Sequence, residues 1–351
     1  MFGWPWPAKF NPLHDEVEAE SIAWLASLNP YTPASQRAHN KAHLGRLAAF
    51  AYPEAPRERL RTGTDFIHAV FVLDEYTDME SGTGTREICA IILDALRNTD
   101  KPRPAGEVII GEIFRDLWAR GRTIATAQAE KHFIEGMEAF LAGIVYQAED
   151  RDNLSLRTVD SYMEARRLDS GVVVSFSPCE LHLSIPDEAF YHPVMKEIRD
   201  ASTDMIMLDN DVASYNREQA VGNANWNILS VVMRQYNLDL HHATEWVAQC
   251  HKVAKGRFFN ALAQLPSFGP DVDAAVQEYI ASIVAWPIGN DCWRFESERY
   301  FGTMGREVKK TRQVPLLAKK TMDPEMVREK VEVQVIDKLA QVSSNAVLVA
   351  A

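Results

Sequence analysis

The stretch Asn210-Asp211-Val212-Ala213-Ser214-Tyr215-Asn216-Arg217-Glu218 lies at the end of a run, Pro193 to Arg217, whose apolar residues recur at helical spacing. Read as helix, it sets Asn210, Ser214 and Glu218 at i, i+4 and i+8, so an amide, a hydroxyl and a carboxylate share one face. Three oxygen donors carrying a single negative charge suit a hard divalent cation. A solvated polar face is the plain alternative. The pattern N-D-(L/I/V)-x-S-x-x-x-E, however, arises by chance in roughly one chain in a thousand at average residue usage.

A second acidic feature is Asp74-Glu75-Tyr76-Thr77-Asp78, closing a proline-free helical run from Arg59 to Asp78. Asp74 and Asp78 would differ by about 40° around a helix and about 6 Å along it. Carboxylates so placed repel unless a cation sits between them, and Mg²⁺ takes one or two carboxylates together with substrate phosphates and water. A solvated acidic helix end is the alternative here. Near the end of the pattern, Glu298-Arg299-Tyr300 offers a forked guanidinium and a phenol for phosphate oxygens, with Trp293 six residues before Arg299. Arg166-Arg167-Leu168-Asp169-Ser170-Gly171 reads as a basic last helical turn that stops at Ser-Gly.

Outward from these motifs, most of the chain reads as helix. The periodicity predicts helices over Asp15–Leu28, from an N-cap at Ser35 through Leu44, Leu47 and Phe50 to Pro53, and over Thr85–Arg97, Gly106–Arg120 and Thr123–Ala148. Further helices are expected over Leu156–Arg167, Trp226–Tyr236, Leu240–Leu265, Asp271–Ala285 and Asp291–Phe301. Gly171-Val172-Val173-Val174-Ser175-Phe176 is β-branched but has no partner run. The expectation is one all-α domain over residues 1–314 and a partly mobile tail over 315–351.

Composition narrows the function. With 37 basic and 49 acidic residues in 351, the chain carries a formal charge of −12, which argues against a nucleic-acid partner. No 18-residue apolar run predicts a membrane span, and Met1-Phe2-Gly3-Trp4-Pro5-Trp6-Pro7 lacks a signal-peptide pattern. Cys89, Cys179, Cys250 and Cys292 are scattered without a CxxC pair, as in a reduced cytoplasmic chain. His241-His242, Cys179-x-x-His182 and Cys250-His251 lack metal-site spacing. No phosphate-binding GxxxxGK(S/T), nucleophile elbow or zinc helix is present.

Taken in chain order, an acidic pair, an arginine at a helix break, a three-donor stripe and a late Arg-Tyr make this sequence resemble the class I terpene synthases, specifically the basidiomycete sesquiterpene cyclases. Lys101-Pro102-Arg103-Pro104, Phe295-Glu296-Ser297-Glu298-Arg299-Tyr300 and Leu47-Ala48-Ala49-Phe50-Ala51-Tyr52-Pro53 are similar too. The resemblance implies an antiparallel α-helical bundle around a cavity with metal ions at its mouth. It implies Asp74 and, more weakly, Asp78 as metal ligands on one side, and Asn210, Ser214 and Glu218 on the other. Arg166, Arg217, Arg299 and Tyr300 would contact diphosphate, with Asp169 as linker and Ser170 at the helix break. Glu75 stands where many relatives carry a second Asp. After the stripe, Gly222-Asn223-Ala224-Asn225-Trp226-Asn227 replaces the acidic residues and His frequent in relatives.

The activity implied is Mg²⁺-dependent ionisation of farnesyl diphosphate and cyclisation, with three ions and Mn²⁺ able to substitute. Phe71, three residues before Asp74, and Trp293 are the aromatic candidates for facing a carbocation, against plain core packing. Overall likeness points to 1,11-closure through a humulyl cation, as in the Δ6-protoilludene synthases. The rival readings are 1,10-closure to a cadinane or germacrane product, a chain-elongating prenyltransferase, which would need a second aspartate-rich motif, and a non-catalytic helical binding protein.

Overall fold

The computed structural model describes residues 3–78 and 80–319 and the short strand Val335–Ile336. The chain begins with α1 (His14–Leu28), α2 (Pro33–Lys41), α3 (Leu44–Ala51) and α4 (Arg57–Thr77). It continues through α5 (Gly82–Arg97), α6 (Ile110–Gly121), α7 (Ala127–Asp152) and α8 (Val159–Asp169). After the short α9 (Ser177–Glu180) and α10 (Asp187–Phe190) come α11 (Pro193–Val221), α12 (Ile228–Tyr236), α13 (Leu240–Ala263), α14 (Pro270–Ile283) and α15 (Ala285–Glu296). Two short helices, α16 (Glu298–Phe301) and α17 (Gly305–Thr311), close the bundle.

Side-chain caps start many of these helices. Thr32, Ser81, Thr126, Thr158 and Asp239 each accept a backbone N–H from the first turn of the helix that follows. Left-handed Asn29, Gly222 and Asn237 end α1, α11 and α12. The apolar faces meet in two large buried clusters. One joins α3, α11, α14 and α15 around Phe176, Phe258, Tyr279 and Trp293. The other joins α4 to α7 around Phe66, Phe114, Trp118 and Phe133. A smaller third cluster holds α8, α12 and α13 together.

The structure departs from the sequence reading at several element boundaries. The helix expected from Ser35 to Pro53 is two helices, because His43 is left-handed (φ 48°), and its cap is Thr32, which accepts from Ser35 N. The segment expected as helix from Leu156 starts as a two-residue strand, Leu156–Arg157 (β1), parallel to Val335–Ile336 (β2). Helix α8 begins only at Val159, behind the Thr158 cap. In keeping with its lack of a partner run, the β-branched stretch after Gly171 forms a buried 3₁₀ turn, Val174–Phe176. The expected Asp291–Phe301 helix is interrupted at Ser297, whose extended backbone (ψ 155°) re-aims Arg299 and Tyr300. Of the 315–351 tail, residues 315–319 run across α11, where Asn216 Nδ2 donates to the Pro315 carbonyl and Gln219 Nε2 to that of Leu317. Apart from β2, the rest of that tail lies outside the described residues.

Candidate active site

The last two turns of α4 carry the acidic pair. The Asp74 side chain is 57% exposed, and Arg299 Nη2 lies 3.7 Å from its Oδ2. Asp78 caps the same helix. Loss of water first, and then the Asp74 carboxylate, push the Asp78 carboxyl up to about 7, against the pull of Arg151, Arg217 and Arg299. Glu75, between them in sequence, turns to the other side of the helix, where its carboxylate accepts from Ser35 Oγ at 2.7 Å. Helical geometry thus sends Asp74 and Glu75 to different partners.

Across the opening, α11 presents the three-donor stripe. Asn210 Nδ2 donates to Tyr300 Oη at 2.8 Å, and Asn210 Oδ1 accepts from Arg166 Nη2 at 3.1 Å. Ser214 donates to the Asp211 carbonyl at 3.4 Å. Glu218 Oε2 accepts from Asn227 Nδ2 at 2.9 Å, and burial holds its carboxyl above the ordinary value. Asp211 points away from the mouth. It accepts from Tyr162 Oη at 2.5 Å and from Ile228 N at 3.1 Å, joining α11 to α8 and α12. Arg217, exposed on α11, favours the charged form of Asp78 against the push of burial.

Arg166 is the hub beneath the stripe. Its guanidinium bonds Asp169 Oδ1 at 2.8 Å and Asp211 Oδ1 at 3.3 Å as well as Asn210. These carboxylates outweigh the cost of burial and hold Arg166 firmly protonated. Burial dominates at Asp169 instead, raising it to about 6 despite Arg166. Arg167, its neighbour, grips Asp204 at 2.6 Å and serves packing. The chain then breaks at Ser170, whose hydroxyl accepts from Val172 N at 3.3 Å, and at Gly171. Gly171 is left-handed (φ 69°), and a Cβ there would meet the Phe140 ring at 3.3 Å and Val70 at 3.4 Å.

The dipeptide Arg299-Tyr300 ties the two sides together. Arg299 reaches Asp74 on α4 and Tyr300 reaches Asn210 on α11. The Arg299 guanidinium also lies 4.6 Å from the Phe71 ring centre, and among the described residues its buried Nε has no hydrogen-bond partner. Below this pair is a cavity of about 100 Å³, walled by Phe71, Ile206, Trp286 and Trp293 and reached by Arg166 and Asn210. Phe71 and Trp293 meet edge to face at 6.3 Å. Trp293 also serves the core: it is 2% exposed and its Nε1 donates to the Ala42 carbonyl at 2.7 Å, pinning the α2–α3 corner.

These donors fit a divalent cation and a polyanion. Among the described residues no cluster of three His, Cys, Asp or Glu side chains could hold a metal alone. Asn210 lines the cavity, Ser214 and Glu218 follow it on the same face of α11, Asp74 and Asp78 end α4, and Arg299 keeps a buried Nε without a partner among the described residues. Sequence reasoning missed Asn227 and Trp286. Asn227 could have been suspected from its place just before the apolar Ile228-Leu229 start of α12, as a cap.

A family model described as terpene synthase family 2, C-terminal metal binding, matches residues 65–254, which include the acidic end of α4 and the whole α11 stripe. Over 96% of both chains, sesquiterpene synthase 14 of Postia placenta is 49% identical to this chain. The chain belongs to the terpene synthases. A Δ6-protoilludene synthase of Armillaria gallica is 39% identical, again over 96% of each chain. Among solved structures, a cucumene synthase variant superposes with a TM-score of 0.75 at 21% identity, covering 84% of this chain and all of that one. A Streptomyces clavuligerus linalool/nerolidol synthase bound to 2-fluorogeranyl diphosphate gives 0.74 at 20% identity, over 86% and 100%. The fold is therefore the all-α class I terpene synthase fold. The enzyme is a terpene cyclase, a carbon–oxygen lyase acting on a prenyl diphosphate, with a divalent-metal-binding domain. No helix among the described residues is long and apolar enough to cross a membrane.

Proposed function

We propose that this terpene synthase is a Mg²⁺-dependent sesquiterpene cyclase that ionises farnesyl diphosphate and closes the ring between C1 and C11 through a humulyl cation to give Δ6-protoilludene. The single observation that carries the reading is the mouth itself. Arg299 and Tyr300 bridge the aspartates of α4 and the donor stripe of α11 directly above an aromatic cavity. The choice of a fifteen-carbon substrate and of 1,11-closure is supported by relatives named sesquiterpene synthase and Δ6-protoilludene synthase at 39–49% identity.

Asp74 and Asp78 on one side, and Asn210, Ser214 and Glu218 on the other, would hold three Mg²⁺ ions, for which Mn²⁺ can substitute. When bound, the ions supply Lewis-acid neutralisation of the leaving diphosphate. The chain's own residues do the rest. Arg299 offers its unmet Nε to a diphosphate oxygen, and Arg217 and Tyr300 add donors from either side. Arg166 leaves Asn210 Oδ1 for the diphosphate, freeing that oxygen as a ligand, while Asp169 keeps the guanidinium aimed. Ser170 holds the chain break that brings the end of α8 to the cavity. Phe71 and Trp293 offer the electron-rich faces of their rings to the developing cation and shield it from water. No acid–base pair is needed to start the reaction.

We place residues 1–314 in one catalytic α-domain and the enzyme in the cytoplasm. Incubation with farnesyl diphosphate and Mg²⁺, with products read by gas chromatography–mass spectrometry, tests the substrate and the product together. The expected hydrocarbon is Δ6-protoilludene. A cadinane or germacrane would replace 1,11- by 1,10-closure, and no volatile product from farnesyl diphosphate would refute the substrate assignment.

A further inference from the structure

A second cavity, of about 450 Å³, lies at the other end of α4 from the acidic pair. Arg59 on its wall and Asp74 at the mouth are fifteen residues apart on one helix, about 22 Å along the axis. This outer cavity is a wet one. Exposed Lys9, Glu54 and Glu278 stand on its rim, and Lys9 and Glu54 are hydrogen-bonded to each other. Water fills such a charged, open space.

Only a thin partition separates it from the cavity under Arg299. Tyr52 lines the outer cavity and Trp286 lines the inner one. Their rings meet edge to face at 5.4 Å, and both side chains are 3% exposed. Phe176 backs Trp286 at 5.9 Å. Tyr52 Oη donates to the carbonyl of Ser175 at 2.7 Å, and Ser175 itself lines the inner cavity. The hydroxyl therefore occupies a polar group on the inner cavity's wall that a water could otherwise use in stepping from one side to the other. Gly63 makes the seal possible: a Cβ there would meet the Tyr52 ring at 2.4 Å, so the ring lies flush on α4.

We propose that the Tyr52–Trp286 pair is a water-tight floor, and that it determines whether the reaction ends by proton loss or by capture of water. With the floor intact, the terminal cation loses a proton and an alkene results. With the floor breached, a water oxygen donates its lone pair to the cationic carbon and the new oxonium loses a proton, giving a terpene alcohol. This chemical consequence rests on the carbocation reaction proposed above, whereas the seal itself is a property of the fold.

The test compares wild type with Tyr52→Ala and with the near-isosteric Tyr52→Phe, which keeps the ring and frees the Ser175 carbonyl for water. Folding is checked by melting, and products from farnesyl diphosphate are analysed in oxygen-18 water. In the same proteins without substrate, hydrogen exchange of the amides in residues 171–176 reports water at the floor directly. The expected result is faster exchange in that segment for both variants, and terpene alcohols carrying one solvent oxygen, raised at least about tenfold over wild type in Tyr52→Ala and less in Tyr52→Phe. If Tyr52→Ala does not fold, Tyr52→Phe decides. Unchanged exchange in a folded variant, or unchanged alcohol in one that still consumes substrate, overturns the proposal. If wild type does not consume farnesyl diphosphate, the proposed function fails, and the exchange measurement still decides the floor.

Discussion

The guanidinium of Arg299 lies 4.6 Å from the centre of the Phe71 ring and 3.7 Å from the Asp74 carboxylate, and its buried Nε has no hydrogen-bond partner among the described residues. A buried, unmet charged donor is costly. Here it is held between an aromatic cavity and an acidic rim, the two surroundings that a prenyl diphosphate would require at its two ends. Replacing Arg299 with Lys keeps the charge and removes the fork. Turnover of farnesyl diphosphate is expected to fall by about 10²–10³-fold with little change in melting temperature. Steady-state diphosphate release checks it, and wild-type turnover in Arg299→Lys would remove the assigned contact.

Asn227 steadies the donor stripe of α11 from a neighbouring segment. One Nδ2 serves Glu218 Oε2 at 2.9 Å and the Asp211 carbonyl at 2.8 Å, while Oδ1 caps α12. Asn227→Ala should weaken Mg²⁺ activation by about 10–100-fold and cost about 1–2 kcal/mol of stability. Activity titrated against Mg²⁺ separates the two effects, since a purely structural Asn227 would leave the Mg²⁺ midpoint where it is.

Gly171 permits the break beside Ser170. Gly171→Ala forces a Cβ into a left-handed backbone and against Phe140, for a loss of about 1–2 kcal/mol. Denaturant melts measure it, and an unshifted midpoint would mean the turn is not required.

The Asp169 carboxyl sits at about 6 in the folded chain against an ordinary 3.8, because burial outweighs Arg166. Between these values the folded chain holds a proton that the unfolded chain has lost, so this group's contribution to stability falls as pH rises from about 4 to about 6 and is level above. Relative to Asp169→Asn, wild type should lose on the order of 2 kcal/mol over that window. A gain over the same window would show that the Arg166 ion pair wins.

Much of this site was legible in the sequence because helical spacing alone fixes faces. Asn210, Ser214 and Glu218 share a side of α11 whatever surrounds it, and Tyr300 and Arg299 link the first of them to Asp74. The helix break at Ser170-Gly171 was readable as well, since glycine marks a left-handed stop. Contacts between distant segments were not. Nothing local in Asn227 announces Glu218, and nothing in Tyr52 announces Ser175, 123 residues away. The β-branched run after Gly171 has strand propensity but no partner run in the sequence, and it is a buried 3₁₀ turn in the fold. Ser297 mattered most, because one extended residue turns Arg299 and Tyr300 onto the mouth.

The central claim is that α4 and α11 jointly grip divalent cations and a diphosphate at one mouth. Its most direct test is diphosphate release from farnesyl diphosphate by wild type, Asp74→Asn and Glu218→Gln, each with Mg²⁺ and with chelator. The account predicts release by wild type only with the metal, and a fall of roughly a hundredfold or more in each variant at unchanged helicity. Release in chelator, or wild-type rates in either variant, would contradict it.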